Sequence, residues 1–521
     1  CGGTDSSLIS ETYNRGARII SNSWGCGQCA GIYEAGSQAY DAAVRDANPD
    51  AEGNQELLIL FSSGNYGPEP ASIGTPGNGK NVLTVGASEN VRPTWTDGCG
   101  IPPSQADSAL DIASFSSRGP APGGRTKPDV VAPGTHVQGT ASTDSSYPPD
   151  GSRLGVCDAF HPNGQTIFNA SSGTSHAVPA VAGFASLAYA SLQQNYGLAN
   201  PSPALLKAFI VAHTLYLDGF DSGDDLPSHN QGFGLPDMGA ALDKSERVII
   251  EQTEAKLFDE SGEKWSLTLA ASDPTSPVRI VMAYTDQPGA IGTEPQVNDL
   301  NLTVRADGTT YLGNQFSRQW STPGGTPDRV NTVEAVFLPS LSDPSIAIEV
   351  TAFNIAGDGV PGVGDDSDQD FTLVCSNCVV RNDFTLSANP MANSLCRPGS
   401  TQYALQLESI FGFSEAVSLN TIDLPVGVTS QFSSNPVRPT ATTMLTLTAD
   451  ETAAAGSYTI DVAGRSKDHE KFVALILDVY SKEAGLPELL FPLNKGDDLP
   501  VDVRFSWAEA AQAGTYEVQI A

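Results

Sequence analysis

One short motif constrains this chain more than any other feature: a turn of small residues that runs directly into a long apolar segment. Residues 173–179 read Gly-Thr-Ser-His-Ala-Val-Pro and precede the apolar stretch 180–192. The pattern predicts a helix that begins here and exposes the hydroxyl of Ser175 on its first turn. The free N–H groups and the positive dipole end of a helix suit a nucleophile whose attack produces an oxyanion. Because Gly-Thr-Ser is also typical of ordinary turns, the motif needs support from elsewhere in the chain.

Three other segments supply that support. Residues 18–25 and 57–65 each predict a buried strand that ends in polar and glycine residues, and residues 115–119 with 127–134 predict a turn and a short strand. Each alone fits a strand that enters a turn. Together, in this order and spacing, the four segments resemble the subtilases, the subtilisin-like serine peptidases. With Val297-Asn298-Asp299-Leu300 the resemblance covers about residues 6–375 and is closest to the alkaline subtilases with a C-terminal β-barrel.

The resemblance implies roles for eight residues. Ser175 would be the nucleophile, and the Asn65 side chain would form the oxyanion hole with the Ser175 N–H. The segments Ser23-Trp24-Gly25 and Ser62-Ser63-Gly64 would pair with an extended peptide and form the wall of its pocket. A turn residue is the alternative interpretation of Asn65, and a core residue that of Trp24.

The histidine base and the orienting aspartate of such a peptidase have no counterpart here. None of the six histidines precedes Asn22, and none is followed by Gly-Thr. His176 follows Ser175 on the helix, so the two side chains diverge by about 100°. We therefore expect a serine endopeptidase of the subtilase family, truncated at its N-terminus and inactive as this fragment. The alternative is a non-catalytic extracellular binding or adhesive protein that retains a degenerate protease fold.

Composition favours a secreted protein. Sixty acidic residues against 27 basic ones give a net charge of −33, which excludes nucleic acid and anionic membrane surfaces as partners. No apolar run reaches 18 residues, so we expect no membrane span. The resemblance implies polypeptide substrates and no catalytic cofactor, and we expect a monomer. The eight cysteines favour disulfides over a zinc or redox site, with Cys99–Cys157 as one suggested pair.

The pattern of elements predicts four regions. Residues 1–250 predict the later part of an α/β catalytic domain, with a subtilisin-like parallel sheet flanked by helices. Residues 251–381 predict a β-barrel or jelly-roll-like domain. Residues 382–482 resemble an immunoglobulin-like β-sandwich, and residues 483–521 resemble the start of a fibronectin type III-like module.

One acidic, glycine-rich loop is a weak candidate for a structural calcium site. Its carboxylates are Asp358, Asp365, Asp366, Asp368 and Asp370. Calcium takes six to eight oxygen ligands from flexible acidic loops. A solvated acidic turn is the alternative, since the whole chain is acidic.

Overall fold

The computed structural model describes residues 5–144, 146–147, 156–364, 366–380, 382–410, 412–467, 469–481, 487–491 and 504–508. The chain divides into two compact units, Cys1–Val380 and Arg381–Ala521. Across the described residues, no helix is both long enough and apolar enough to cross a membrane.

A parallel four-stranded sheet with the order β1-β2-β3-β4 opens the first unit. Its strands are β1 (Ile19–Asn22), β2 (Leu58–Ser62), β3 (Leu83–Ser88) and β4 (Val130–Pro133). The helices are α1 (Asp5–Asn14), α2 (Ala35–Arg45), α3 (Thr174–Tyr196), α4 (Pro203–Ala212) and α5 (Met238–Ala241). Two short antiparallel pairs accompany them, β5 (Val137–Thr140) with β6 (Phe168–Ser171), and β7 (Thr214–Leu215) with β8 (Leu235–Pro236). The predicted α/β fold of this part is confirmed.

Helix α4 lies in the middle of the first unit, which explains why its sequence is apolar all round except for Lys207. All ten of its residues are buried. Phe209 of this helix belongs to one apolar core with Leu60 and Val85 of the parallel sheet and with Phe337 of the strands that follow. A continuous core therefore joins the α/β part to the all-β part of this unit.

That all-β part consists of two antiparallel sheets with the orders β14-β13-β12-β16-β10-β18 and β15-β11-β17-β9. The strands are β9 (Arg247–Ile250), β10 (Lys264–Ala271), β11 (Val278–Ala283), β12 (Asp299–Ala306), β13 (Thr309–Ser317), β14 (Trp320–Pro323), β15 (Val333–Leu338), β16 (Ser345–Asn354), β17 (Thr372–Ser376) and β18 (Cys378–Val380). In β16 every second residue from Ile346 to Ala352 is buried, as expected for a strand with one face on a core.

The second unit is all-β. Two four-stranded sheets have the orders β19-β21-β24-β23 and β20-β26-β25-β22. The strands are β19 (Asp383–Asn389), β20 (Ala392–Cys396), β21 (Gly399–Ile410), β22 (Ser418–Ile422), β23 (Val428–Phe432), β24 (Ala441–Ala449), β25 (Gly456–Ser466) and β26 (His469–Tyr480). A further pair joins β27 (Glu488–Phe491) to β28 (Ser506–Ala508). Most of the region predicted to begin a fibronectin type III-like module lies outside the described residues.

Candidate active site

A cavity of about 300 Å³ lies where β1 and β2 end and α3 begins. The eight residues to which the resemblance gave roles all line it, and they are Ser23, Trp24, Gly25, Ser62, Ser63, Gly64, Asn65 and Ser175. The fold thus brings together residues as far apart in sequence as Ser23 and Ser175, which are separated by 152 positions.

Ser175 is the second residue of α3, and its side chain is half-buried beside the cavity. Gly173 precedes the helix with a φ of 146°, a value that favours glycine. Pro179, four residues after Ser175, has no N–H and cannot give the Ser175 carbonyl its helical hydrogen bond. The Ser23 hydroxyl donates to that carbonyl at 2.9 Å instead. Strand β1 is therefore tied directly to the residue at the start of the helix.

The Asn65 side chain is held in one orientation. Its Oδ1 accepts hydrogen bonds from both the N–H and the hydroxyl of Thr174, each at 2.9 Å. The Nδ2 group lies 3.1 Å from the position that a Cβ on Gly173 would occupy. Among the described residues neither Asn65 Nδ2 nor the Ser175 N–H has a hydrogen-bond acceptor. Asn65 and Ser175 line the same cavity, so these two donors without a described acceptor both belong to its wall. Stabilisation of an oxyanion requires donors of this kind.

Trp24 packs against core residues and is also exposed at the cavity. Its ring packs edge-to-face on Phe61 at 5.4 Å and on Tyr40 at 5.9 Å between ring centroids. The same side chain is 48% exposed and lines the cavity. One face of the indole therefore belongs to the core while the rest is available to a ligand.

The far wall of the cavity contains residues that sequence reasoning missed. Cys26 forms a disulfide with Cys29, and its N–H donates to the Thr75 carbonyl at 2.8 Å. The Tyr66 ring covers Gly27 so closely that a Cβ there would fall 2.0 Å from Cε2. Cys26 directly follows Gly25, and Tyr66 directly follows Asn65. This position next to the predicted site segments is the sequence feature that could have indicated that both residues line the cavity. The structure also joins Cys99 to Cys157 and Cys375 to Cys378.

No described histidine bonds to Ser175. Within the described ranges, the only hydrogen bond of Ser175 Oγ is to the Ser23 carbonyl at 3.5 Å. Burial lowers the pKa of the adjacent His176. The ring of His136 is buried and places Nδ1 2.9 Å from Asp97 Oδ2. His213 Nε2 accepts from Arg247 Nε at 2.9 Å. The His136 and His213 rings are therefore bound to Asp97 and Arg247 and not to Ser175.

The acidic candidates for calcium fall into different environments. Asp370 forms an ion pair with Arg45, and its two carboxylate oxygens lie 2.6 and 2.9 Å from the guanidinium nitrogens. Asp368 is fully buried; its Oδ1 accepts from the Val360 N–H at 2.9 Å, and its Oδ2 has no partner among the described residues. Asp358 lies beside it in a β-bridge, and Asp366 is exposed. Asp365 lies outside the described residues. Of the five, Asp368 has an oxygen atom available for a cation.

Comparison with known proteins identifies the family of the first part of the chain. The profile of the Subtilase family matches residues 2–234. "Serine protease AprX" of Bacillus subtilis is 34% identical over 141 residues, which is 27% of this chain and 26% of that protein. "Pyrolysin" of Pyrococcus furiosus is 30% identical over 189 residues, which is 34% of this chain and 12% of that protein.

A third relative is similar over a longer stretch. "Serine protease/ABC transporter B family protein tagD" of Dictyostelium discoideum is 23% identical over 475 residues, which covers 68% of this chain and 25% of that protein. The matches thus span about a quarter or less of the length of these curated relatives.

Proposed function

For this chain, whose residues 2–234 belong to the subtilase family of serine peptidases, we propose endopeptidase activity through an acyl-enzyme on Ser175. The observation that carries the proposal is that Ser175 and Asn65 line one cavity, where the Asn65 amide and the Ser175 N–H are donors without a described acceptor. A serine placed only as a helix cap would not need an asparagine held in this orientation by two bonds from Thr174.

The proposed chemistry assigns each group one task. Ser175 Oγ gives its proton to a histidine base and attacks the carbonyl carbon of the scissile peptide bond, and the carbonyl oxygen becomes an oxyanion. Asn65 Nδ2 and the Ser175 N–H donate hydrogen bonds to that oxygen. The C–N bond then breaks, the base passes this proton to the leaving amine, and water hydrolyses the ester that remains on Ser175.

Substrate binding is assigned mainly to the β1 side of the cavity. The N–H groups of Ser63 and Gly64 are already used, by the Val85 carbonyl and the Thr174 hydroxyl. The main chain of Trp24 and Gly25 makes no hydrogen bond within the described residues. An extended peptide would therefore add as a strand along Trp24–Gly25, while Ser62–Gly64 forms the opposite wall.

The base histidine and its aspartate are proposed to come from a segment outside these 521 residues. Ser175 Oγ has no described histidine partner. In the described part of the chain, β1 is an edge of the parallel sheet and has the half-buried residues Ile19 and Ile20. A further strand paired with β1 would cover that edge and end close to Ser175, because β1 contacts the start of α3 through Ser23.

Secretion fits both the three disulfides and the acidic composition. We also propose that a calcium ion stabilises the acidic loop, with Asp368 Oδ2 as its buried ligand. A buried carboxylate oxygen without a partner is costly unless a cation or a proton satisfies it.

The test of the proposed activity is casein hydrolysis by a longer protein in which an Asp- and His-bearing segment precedes this sequence. We expect hydrolysis by that protein, none by residues 1–521 alone, and none by the Ser175→Ala variant of the longer protein. Ser186→Ala is the matched control, since Ser186 lies on the same helix and its hydroxyl bonds only the Ala182 carbonyl. If the longer protein hydrolyses nothing, the non-catalytic binding protein becomes the better interpretation.

A further inference from the structure

A cluster of buried charges lies in the first unit, apart from the cavity at Ser175. It contains four cations and three carboxylates, each less than one-tenth exposed: Lys80, Arg125, Lys127, Lys207, Asp41, Asp129 and Asp286. Two of the cations have carboxylate partners. Lys127 Nζ lies 2.6 Å from Asp129 Oδ2, and Lys80 Nζ pairs with Asp286.

The other two cations bond only to backbone carbonyls within the described residues. Lys207 Nζ donates to the Lys80 and Val82 carbonyls at 3.2 and 3.1 Å. Arg125 donates from Nε to the Pro122 carbonyl at 3.0 Å and from Nη2 to the Asn78 carbonyl. Its Nη1 is buried and has no acceptor. Arg125 is therefore a buried guanidinium without an ion pair.

The third carboxylate does not pair with either of them directly. Asp41 accepts hydrogen bonds from the Tyr33 hydroxyl at 2.8 Å and from the N–H groups of Lys80 and Asn81 at 3.0 and 2.8 Å. Four cations against three carboxylates leave one positive charge in excess. Burying such a charge is costly unless a counter-ion or the loss of a proton compensates it.

A small cavity lies at this excess charge. Its volume is about 20 Å³, and its lining residues include four of the charged residues, Lys80, Arg125, Lys127 and Asp129. The remaining lining residues are Thr126, Phe233, Asn331, Thr332 and Val333. A cavity of this size holds one water molecule or one monatomic ion and excludes polyatomic anions.

We propose that this cavity binds a single chloride ion, which balances the excess positive charge of Arg125 and its neighbours. The ion would lie between the β3–β4 region of the α/β part and the segment Asn331–Val333 that leads into β15. It would thereby stabilise the packing of the two parts of the first unit. Burial lowers the pKa of Lys127 to about 7 and also lowers those of Lys207 and Arg125, so the loss of a lysine proton is the competing way to balance the charge.

The direct test uses bromide, which replaces chloride and scatters anomalously. Crystals of the chain soaked in sodium bromide should show one anomalous peak among Arg125, Lys127 and Asn331. A water molecule there with no anomalous signal would overturn the proposal, and a deprotonated lysine would then account for the charge balance.

The dependence of the Tm on chloride concentration tests the same proposal in solution. At fixed ionic strength, replacing sodium gluconate with sodium chloride should raise the Tm along a saturating curve, because chloride binds the native state only. Lys127→Met leaves three cations and three carboxylates in the cluster and should therefore abolish the rise of Tm with chloride. Arg329→Gln is the matched control, since Arg329 pairs with Asp299 outside the cluster, and it should keep the curve. A Tm of the unmodified chain that does not respond to chloride would also overturn the proposal, whether or not Lys127→Met folds.

Discussion

The Ser23 hydroxyl donates a hydrogen bond of 2.9 Å to the Ser175 carbonyl, across 152 residues of sequence. This contact exists because Pro179 cannot donate to that carbonyl from within α3. The proline that interrupts the helical hydrogen bonding thus leaves an acceptor at the first turn, and β1 supplies the donor. The bond connects the proposed substrate-binding strand to the backbone of the proposed nucleophile.

Ser23→Ala should therefore lower the free energy of unfolding by about 0.5–1.5 kcal/mol. We expect a value near the lower end, because Ser23 is exposed and a water molecule can donate to the Ser175 carbonyl in place of the lost hydroxyl. Urea denaturation measures this change. In the control Ser186→Ala, the Ala182 carbonyl keeps its donor within the helix, so a smaller loss is expected. Equal losses in the two variants would argue against a special role for the Ser23 contact.

Asn65→Asp, made in the longer protein, separates the bond that Asn65 accepts from Thr174 from its proposed role as an oxyanion donor. The aspartate keeps an oxygen that accepts from Thr174 but loses the Nδ2 donor. We expect kcat to fall ~10²–10³-fold with little change in KM, because the donor acts on charge that develops in the transition state. Steady-state kinetics on a peptide amide give both constants. A rise in KM alone would show that Asn65 binds substrate rather than the oxyanion.

Gly173→Ala tests the turn before α3. The φ of 146° disfavours any side chain there, and the new Cβ would lie 3.1 Å from Asn65 Nδ2. A loss of about 1–3 kcal/mol in the free energy of unfolding is expected. Gly183→Ala, in the same helix with nothing within 4 Å of its Cβ, should instead gain about 0.5–1 kcal/mol. The opposite signs distinguish local backbone strain from a general effect of alanine.

Glu334 should make the stability depend on pH. Its carboxyl group is 1% exposed, one oxygen accepts from the Leu302 N–H at 2.7 Å, and burial raises its pKa well above the ordinary value of 4.5. As pH rises above about 4.5, the unfolded chain loses this proton while the folded chain retains it, so the free energy of unfolding falls.

Glu334→Gln removes that proton equilibrium and keeps the acceptor. The variant should match the parent at about pH 4 and exceed its stability at about pH 8 in thermal unfolding. Glu254→Gln, on an exposed turn, should leave the pH profile of the parent unchanged. A parent profile that does not fall between these pH values would contradict the burial argument.

The sequence was most informative where short motifs end buried strands. Strands β1 and β2 and the start of α3 lie where the apolar runs and the Gly-Thr-Ser turn predicted them, since parallel strands must bring their carboxyl ends to one edge. The all-β character from about residue 251 onward also followed from alternation of apolar residues.

Other features depend on contacts that no local pattern contains. The Tyr66–Gly27 contact and the Cys26–Thr75 bond arise only when two loops meet across the cavity. Asp370 belonged to an acidic loop in the sequence, yet its partner Arg45 is 325 positions away. The buried cluster around Arg125 was likewise not predictable, because its members come from separate loops and from helices α2 and α4.

The central claim is that Ser175 is the nucleophile, and a fluorophosphonate probe tests it most directly. The probe forms a covalent bond only with an activated serine, and peptide mass spectrometry locates the adduct. In the longer protein with the Asp- and His-bearing segment, we expect one adduct, on the peptide that contains Ser175, and none in Ser175→Ala. An adduct on another serine, or labelling that persists in Ser175→Ala, would contradict the account.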